Sequence, residues 1–123
     1  MPATKILTVD DSRSMRALLR MTLTGGGFEV VEAEDGQAAL DWLEANEADL
    51  IITDINMPRL DGFGFIETLR AQGRRHVNRP VLVLTTEYSE EKRSRAREAG
   101  ATGWLVKPFD PERLLAAVRH VTH

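Results

Sequence analysis

The chain has 123 residues, the length of one domain, so we expect a single domain over residues 1–123. Sixteen lysine and arginine residues nearly balance 19 aspartate and glutamate residues, and the net charge of −3 argues against a general nucleic-acid binder. The lack of cysteine excludes disulfide scaffolds, thiolate zinc sites and thiol catalysis. The longest apolar runs, such as residues 81–84, are far shorter than the roughly 18 residues of a membrane span, so we expect a cytoplasmic protein without membrane insertion.

Short runs rich in valine, isoleucine and leucine alternate with segments of helical length. The runs at residues 5–9, 28–33, 49–53, 80–85 and 104–106 are predicted strands, and several are apolar almost throughout, which is typical of a parallel sheet covered by helices on both faces. The segments 12–24, 36–47, 62–72, 89–99 and 110–121 are predicted helices, mostly with apolar residues at spacings of three and four. This alternation predicts an α/β fold, a flavodoxin-like (βα)5 three-layer sandwich. Its five-stranded parallel sheet would have the order 2-1-3-4-5, which fits the strand count better than a six-stranded Rossmann order.

Several helix ends carry the residues that terminate helices. Ser89 is a predicted N-cap, and Asp110 precedes a proline at the first helical position. The glycines at 25–27 and Gly100 are predicted helix stops.

Polar residues follow four of the five predicted strands: Asp10 and Asp11, Asp54, Thr85 and Thr86, and Lys107. Because the carboxyl ends of parallel strands share one edge of a sheet, these side chains are expected around the crevice between strands one and three. Three neighbouring carboxylates repel one another unless a divalent cation or an ammonium group neutralises them. Each feature alone also has an ordinary explanation, as a helix cap, a solvated lysine or a threonine chosen for its β-propensity.

An all-oxygen ligand set suits a hard cation, and Mg²⁺ typically binds one or two carboxylates while keeping several waters. Asp54 could act as a nucleophile that forms an aspartyl phosphate. Mg²⁺, Lys107 and the Thr85 hydroxyl would then supply the positioning and charge neutralisation that phosphoryl transfer requires.

The chain resembles the receiver domains of two-component response regulators over essentially its full length. The motifs that carry the resemblance are Val9-Asp10-Asp11-Ser12, Thr53-Asp54-Ile55-Asn56-Met57-Pro58 with Asp61-Gly62, Leu84-Thr85-Thr86-Glu87, and Val106-Lys107-Pro108-Phe109. Each motif is weak alone, but their order and their places at strand ends make the set specific. Residues 85–87 and 100–111 look most like the chemotaxis CheY group.

The resemblance implies that Asp54 accepts a phosphoryl group from a phosphohistidine of a sensor kinase. It implies that Asp11 and Asp54 bind Mg²⁺ directly, that Asp10 binds it through water, and that the backbone carbonyl of Asn56 completes the protein ligands.

Further roles follow from the same resemblance. Lys107 would pair with the carboxylate and later with the phosphoryl oxygens, and the peptide bond before Pro108 would be cis. Thr85 would move to bond the phosphoryl group, and the aromatic residue of the fifth strand would then turn inward. That residue is Trp104 here, where the enteric-type proteins have tyrosine, so an indole N–H replaces a hydroxyl.

Three residues are expected to influence the lifetime of the phosphoryl group. Asn56 and Glu87 match the pair found in chemotaxis proteins whose phosphate turns over quickly, which predicts a short-lived phosphoryl group. Thr86 stands where alanine or glycine is common and could narrow access to the site.

The fourth predicted helix is mostly polar, which is typical of a solvated face. The resemblance favours a partner-binding face formed by the fourth helix, fifth strand and fifth helix, with Lys92, Trp104 and Arg119 as candidate contacts. Five basic residues cluster around one loop, as either a docking patch or a solvated loop: Arg70, Arg74, Arg75, His76 and Arg79. Because His76, His120 and His123 lie outside every motif, the phosphodonor histidine is expected on another protein.

The leading interpretation is a stand-alone, monomeric chemotaxis regulator, because the chain ends shortly after its last predicted helix. It would receive phosphate from a CheA-type histidine kinase and bind the flagellar motor switch protein, with a phosphatase as a further candidate partner. It would not be an enzyme in the usual sense, since it would catalyse only its own phosphorylation and dephosphorylation.

Three alternatives remain open. A receiver could act as a phosphate sink, a relay or a cell-cycle regulator without contacting the motor. A small Mg²⁺-dependent phosphatase with a nucleophilic aspartate would need a second aspartate where Asn56 stands. A flavodoxin-like cofactor binder is disfavoured because an acidic crevice repels an anionic phosphate.

Overall fold

The structure is a computed structural model that describes residues 3–72 and 79–122. These residues form ten elements in strict alternation: β1 (Lys5–Val9), α1 (Arg13–Gly25), β2 (Glu29–Ala33), α2 (Gly36–Leu43), β3 (Leu50–Thr53), α3 (Gly62–Ala71), β4 (Val81–Thr85), α4 (Glu90–Ala99), β5 (Gly103–Val106) and α5 (Pro111–Thr122). His76 and His123, together with Arg74 and Arg75, lie outside the described residues. Within the described part of the chain, no helix has the length and apolar character needed to cross a membrane.

The five strands form one parallel sheet in the order β2-β1-β3-β4-β5. Alternate residues of each strand face opposite layers, as the two-residue period of a strand requires. Leu7 and Ile51 are paired across β1 and β3 and belong to a core shared with α2, α3 and α4. Ile6 and Leu50 are paired one step earlier and belong to a second core shared with α1 and α5. The predicted flavodoxin-like three-layer sandwich is therefore confirmed.

Local hydrogen bonds set the helix ends. The Ser12 hydroxyl accepts a hydrogen bond from the backbone N–H of Met15, the third residue of α1, at 3.2 Å. The Ser89 hydroxyl accepts from the N–H of Lys92, the third residue of α4, at 3.2 Å. Both bonds satisfy N–H groups that the helix leaves free. Gly100 ends α4 in the left-handed region, with φ of 116°, which glycine adopts without a steric penalty.

The prediction that α2 extends to residue 47 is wrong, since the helix ends at Leu43. The N–H of Glu44 donates to the carbonyls of both Leu40 and Asp41, which tightens the last turn. The Asn46 side chain then donates to the Trp42 carbonyl at 2.8 Å and caps an acceptor that the helix would otherwise have satisfied. The chain turns here so that it can enter β3.

Gly62 at the start of α3 lies directly against the strand end that carries Asp54. A Cβ at this position would overlap the Asp54 carbonyl oxygen and lie 2.8 Å from the Cα of Ile55, both of them backbone atoms. Gly25, at the end of α1, has open space around the same position. Only the first glycine is therefore required by packing.

We expect Gly62→Ala to lower the free energy of unfolding by about 1–3 kcal/mol, because backbone must move to admit the methyl group. The matched control Gly25→Ala should change it by less than about 1 kcal/mol, and in the stabilising direction. Urea denaturation of the two variants measures both values. Equal stabilities would contradict the close approach of α3 to β3.

Candidate functional site

Two aspartates stand side by side at the carboxyl edge of the sheet. Asp10 follows β1, and its N–H donates to the Ala33 carbonyl at 3.1 Å; Asp54 follows β3, and its N–H donates to the Val9 carbonyl at 2.9 Å. These bonds continue the parallel ladders one residue past the strands. Both aspartates are consequently buried, with 2% and 8% of their surfaces exposed. Buried carboxylates require partners.

Lys107, which follows β5, supplies the compensating charge. Its Nζ lies 2.8 Å from Asp10 Oδ2 and 2.7 Å from Asp54 Oδ2, and its backbone N–H donates to the Thr85 carbonyl at 2.8 Å. Burial disfavours the charged ammonium, but the hydrogen bonds to Asp10 and Asp54 outweigh it and raise the pKa of Lys107. The lysine therefore remains a cation between the two carboxylates.

A third carboxylate, on the exposed residue Asp11, completes an acidic cluster. Asp10, Asp11 and Asp54 each place an oxygen within 4.8 Å of the others. Backbone N–H groups orient the buried pair, since Ser12 donates to Asp10 Oδ1 at 2.8 Å and Ile55 donates to Asp54 Oδ1 at 2.6 Å. One ammonium does not balance three carboxylates, and the donor set contains only oxygen. The site therefore fits Mg²⁺, which takes oxygen ligands.

Sequence reasoning missed a contact that supports this cluster from α1. Arg16 Nη1 donates to the backbone carbonyl of Asp10 at 2.7 Å, and Arg16 Nε lies 3.4 Å from Glu32 Oε1 on β2. An arginine one turn into a helix looks like an ordinary surface residue in the sequence. The contact of Arg16 with Glu32 forms because α1 packs next to β2.

The structure joins three predicted residues in one polar chain beside the cluster. The Asn56 side chain donates to Glu87 Oε1 at 3.1 Å, and Lys92 Nζ lies 2.9 Å from the same oxygen. The hydrogen bond from Asn56, followed by the one from Lys92, lowers the pKa of Glu87. Lys92, which stays a predicted partner contact, also pairs with Glu87 and connects the loop after β4 to α4.

The remaining predicted residues differ in how deeply they are buried. Thr85 is buried, and its hydroxyl accepts from the Glu87 N–H at 3.3 Å, whereas Thr86 is exposed. Trp104 is half-buried opposite Val83 and lines a groove of about 210 Å³ between α4 and β5. Arg119 is exposed on α5. The peptide bond between Lys107 and Pro108 is cis, the geometry that the resemblance implies.

Comparison with known proteins agrees with this arrangement. Residues 6–119 match the family of the response regulator receiver domain, and the chain belongs to that family. It therefore has the fold of a receiver domain of two-component signalling, a class of domain that receives phosphoryl groups from histidine kinases and generally binds Mg²⁺ in an acidic site.

Among solved structures, the chemotaxis protein CheY4 of Vibrio cholerae is 45% identical, with a TM-score of 0.92 over 98% of this chain and 99% of that one. The receiver domain of the sensor histidine kinase PA1611 from Pseudomonas aeruginosa is 26% identical over 98% of both chains, with a TM-score of 0.90, and its structure has a magnesium ion coordinated in the active-site cleft. The chain thus has a CheY-like structure.

Among curated proteins, the response regulator MprA of Mycolicibacterium vanbaalenii is 42% identical over 115 residues, which are 94% of this chain and 48% of that protein. The chain spans about half the length of the curated relatives that it matches. These relatives agree with the assignment of the chain to the receiver-domain family.

We expect Lys107→Met to lower the free energy of unfolding by about 3 kcal/mol in the absence of metal, because it leaves two buried carboxylates without a counter-charge. The control Lys92→Met breaks a more exposed ion pair, in which the lysine side chain is 44% exposed, and should cost at most about 1 kcal/mol. Chemical denaturation in EDTA at neutral pH tests the difference. Similar losses in the two variants would contradict the central position of Lys107.

Proposed function

We propose that Asp54 is the phosphoacceptor of a Mg²⁺-dependent receiver. The observation that carries this proposal is the Lys107 ammonium held at 2.7 Å from Asp54 and 2.8 Å from Asp10, with Asp11 beside them. Asp11, Asp54 and the backbone carbonyl of Asn56 would hold the ion, and Asp10 would hold it through water. When bound, Mg²⁺ supplies positive charge that neutralises the transferring phosphoryl oxygens.

In the proposed reaction an oxygen of the Asp54 carboxylate attacks the phosphorus of a kinase phosphohistidine. The new bond joins that oxygen to phosphorus, and the bond between phosphorus and the histidine nitrogen breaks. Lys107 stays charged and stabilises the added negative charge, since its ammonium already lies within hydrogen-bond distance of the acceptor oxygen. The domain catalyses only its own phosphorylation and dephosphorylation, because no acid or base aspartate follows Asp54 at the position of Asn56.

The proposed switch begins at Thr85. Its hydroxyl accepts the Glu87 N–H in this state, so its own proton is available to a phosphoryl oxygen on Asp54. A movement of Thr85 toward that oxygen would loosen the bond to Glu87, whose carboxylate contacts Lys92 on α4. Trp104 on β5 borders the same helix through the groove. The surface formed by α4, β5 and α5 would then change its affinity for a partner.

We further propose a role in chemotaxis, with a CheA-type kinase as donor and the flagellar motor switch protein as target, in the cytoplasm. Support comes from the 45% identity to CheY4 over nearly the whole of both chains. The 42% identity to MprA keeps the alternative of a receiver that serves another output, including a phosphate sink or relay.

We expect incubation with acetyl phosphate and Mg²⁺ to add one phosphoryl group to the protein, seen by intact-mass spectrometry. Asp54→Asn and the omission of Mg²⁺ should each abolish the adduct, because they remove the nucleophile and the charge neutralisation respectively. Asp49→Asn is the matched control, since Asp49 is exposed at the opposite end of β3 and should leave the adduct unchanged. An adduct that persists in Asp54→Asn would overturn the assignment.

We expect phosphorylation, or its mimic beryllofluoride, to tighten binding of a flagellar motor switch peptide by about 5-fold or more. Arg119→Ala should weaken binding of the activated protein, whereas Arg20→Ala, on α1, should not. Fluorescence anisotropy with a labelled peptide measures both effects. Equal affinity with and without activation would count against the motor and favour a sink or relay.

A further inference from the structure

The loop between β3 and α3 carries Asp54 and Asn56 and contains one strained residue. Arg59 has a φ of 66°, and within residues 3–72 and 79–122 it is the only residue other than glycine with a positive φ. Left-handed backbone is unfavourable for a side chain such as arginine, so a local interaction must hold it there.

That interaction is a bidentate ion pair with Asp35. Arg59 Nε donates to Asp35 Oδ2 at 2.7 Å, and Nη2 donates to Oδ1 at 3.0 Å. Asp35 is buried and caps α2, since its Oδ1 also accepts the Ala38 N–H at 2.8 Å. The hydrogen bond from Arg59 lowers the pKa of Asp35, so the pair is ionic at neutral pH. Paired hydrogen bonds to a carboxylate fix direction as well as distance.

The backbone next to Arg59 is held by the same helix start. A Cβ at Gly36 would lie 2.8 Å from the Leu60 carbonyl oxygen, so the loop passes directly over the first residue of α2. Asp35 in turn lies two residues beyond Ala33, whose carbonyl accepts the Asp10 N–H. The ion pair therefore joins the loop after β3 to the strand that positions Asp10.

The ion pair also borders a cavity that reaches Asp11. A cavity of about 350 Å³ is lined by Asp11, Glu34, Asp35, Pro58 and Arg59. Asp11 of the acidic cluster and the Arg59–Asp35 ion pair therefore line the same cavity.

We propose that Arg59 is a positioning residue for Mg²⁺: its ion pair with Asp35 fixes the loop after β3, which carries the Asn56 carbonyl, a proposed ligand of the ion. This inference rests on the proposed Mg²⁺ site. Arg59 does not touch the ion and acts through the backbone between residues 56 and 59. A purely electrostatic role predicts the opposite sign, because a nearby guanidinium repels a divalent cation.

The test measures Mg²⁺ dissociation constants by titration calorimetry at neutral pH for Arg59→Gly, Asp35→Asn and the double variant. Arg59→Gly leaves the buried Asp35 without its counter-charge but also relieves the left-handed strain, so its loss of thermal stability without metal should be partly offset. Asp35→Asn keeps an oxygen for the Ala38 N–H but loses the charge and the oxygen that accepts from Arg59 Nε. Each single variant should weaken Mg²⁺ binding about tenfold. The double variant should be no weaker than the single ones, since both remove the same contact.

Two controls separate positioning from charge. Arg13→Ala removes an exposed cation two residues after Asp11 and should leave Mg²⁺ affinity equal or slightly tighter. Arg59→Lys keeps the charge without the paired geometry and should fall between the original protein and Arg59→Gly.

If Arg59→Gly binds Mg²⁺ as tightly as the original protein or more tightly, the positioning role is wrong, while Mg²⁺-dependent phosphorylation of Asp54 in the original protein still supports the proposed function. If the original protein binds no Mg²⁺ and forms no adduct on Asp54, the proposed function and the positioning role are both wrong.

Discussion

The carboxyl edge of the sheet depends on one cation between two buried carboxylates. Lys107 lies 97 residues from Asp10 and 53 from Asp54 in the chain, yet its ammonium contacts both. Burial of these charged groups is tolerated only because the cation pairs with both anions. The order β2-β1-β3-β4-β5 brings them together, because it places β1 and β3 side by side at the centre of the sheet. Asp11 keeps the crevice acidic, and a hard cation requires such negatively charged oxygen ligands.

Most of this arrangement follows from the sequence by simple rules. Strand ends in an α/β alternation must share an edge, so Asp10, Asp54 and Lys107 could be predicted together despite their separation in the chain. The end of α2 was predicted four residues too late: its apolar stripe stops at Leu43, but residues 44–47 contain no glycine or proline to mark a helix end. Periodicity reports burial, and the last turn of a helix is decided by individual hydrogen bonds.

The contacts that surround the site were the hardest to predict. Arg16, Lys92 and Arg59 all look like solvated surface residues in the sequence, and each one contacts a carbonyl or carboxylate close to the crevice. Their partners depend on loop paths and on the packing of neighbouring elements, which no local pattern encodes. Arg59 adds a backbone conformation that arginine rarely adopts, so propensity would have argued against it.

The weak attachment of α4 divides the molecule into regions with different tolerance to substitution. Ala96 is its one fully buried side chain, while Arg95 lies over the Phe63 ring at 4.1 Å. A helix that adds little more than Ala96 and the partly buried Ala99 to the core can exchange its outer residues at little cost in stability, since little apolar area is at stake. Substitutions at the carboxyl edge disturb buried charges instead. Evolution can therefore redirect the outer face toward new partners while the chemistry at Asp54 stays unchanged.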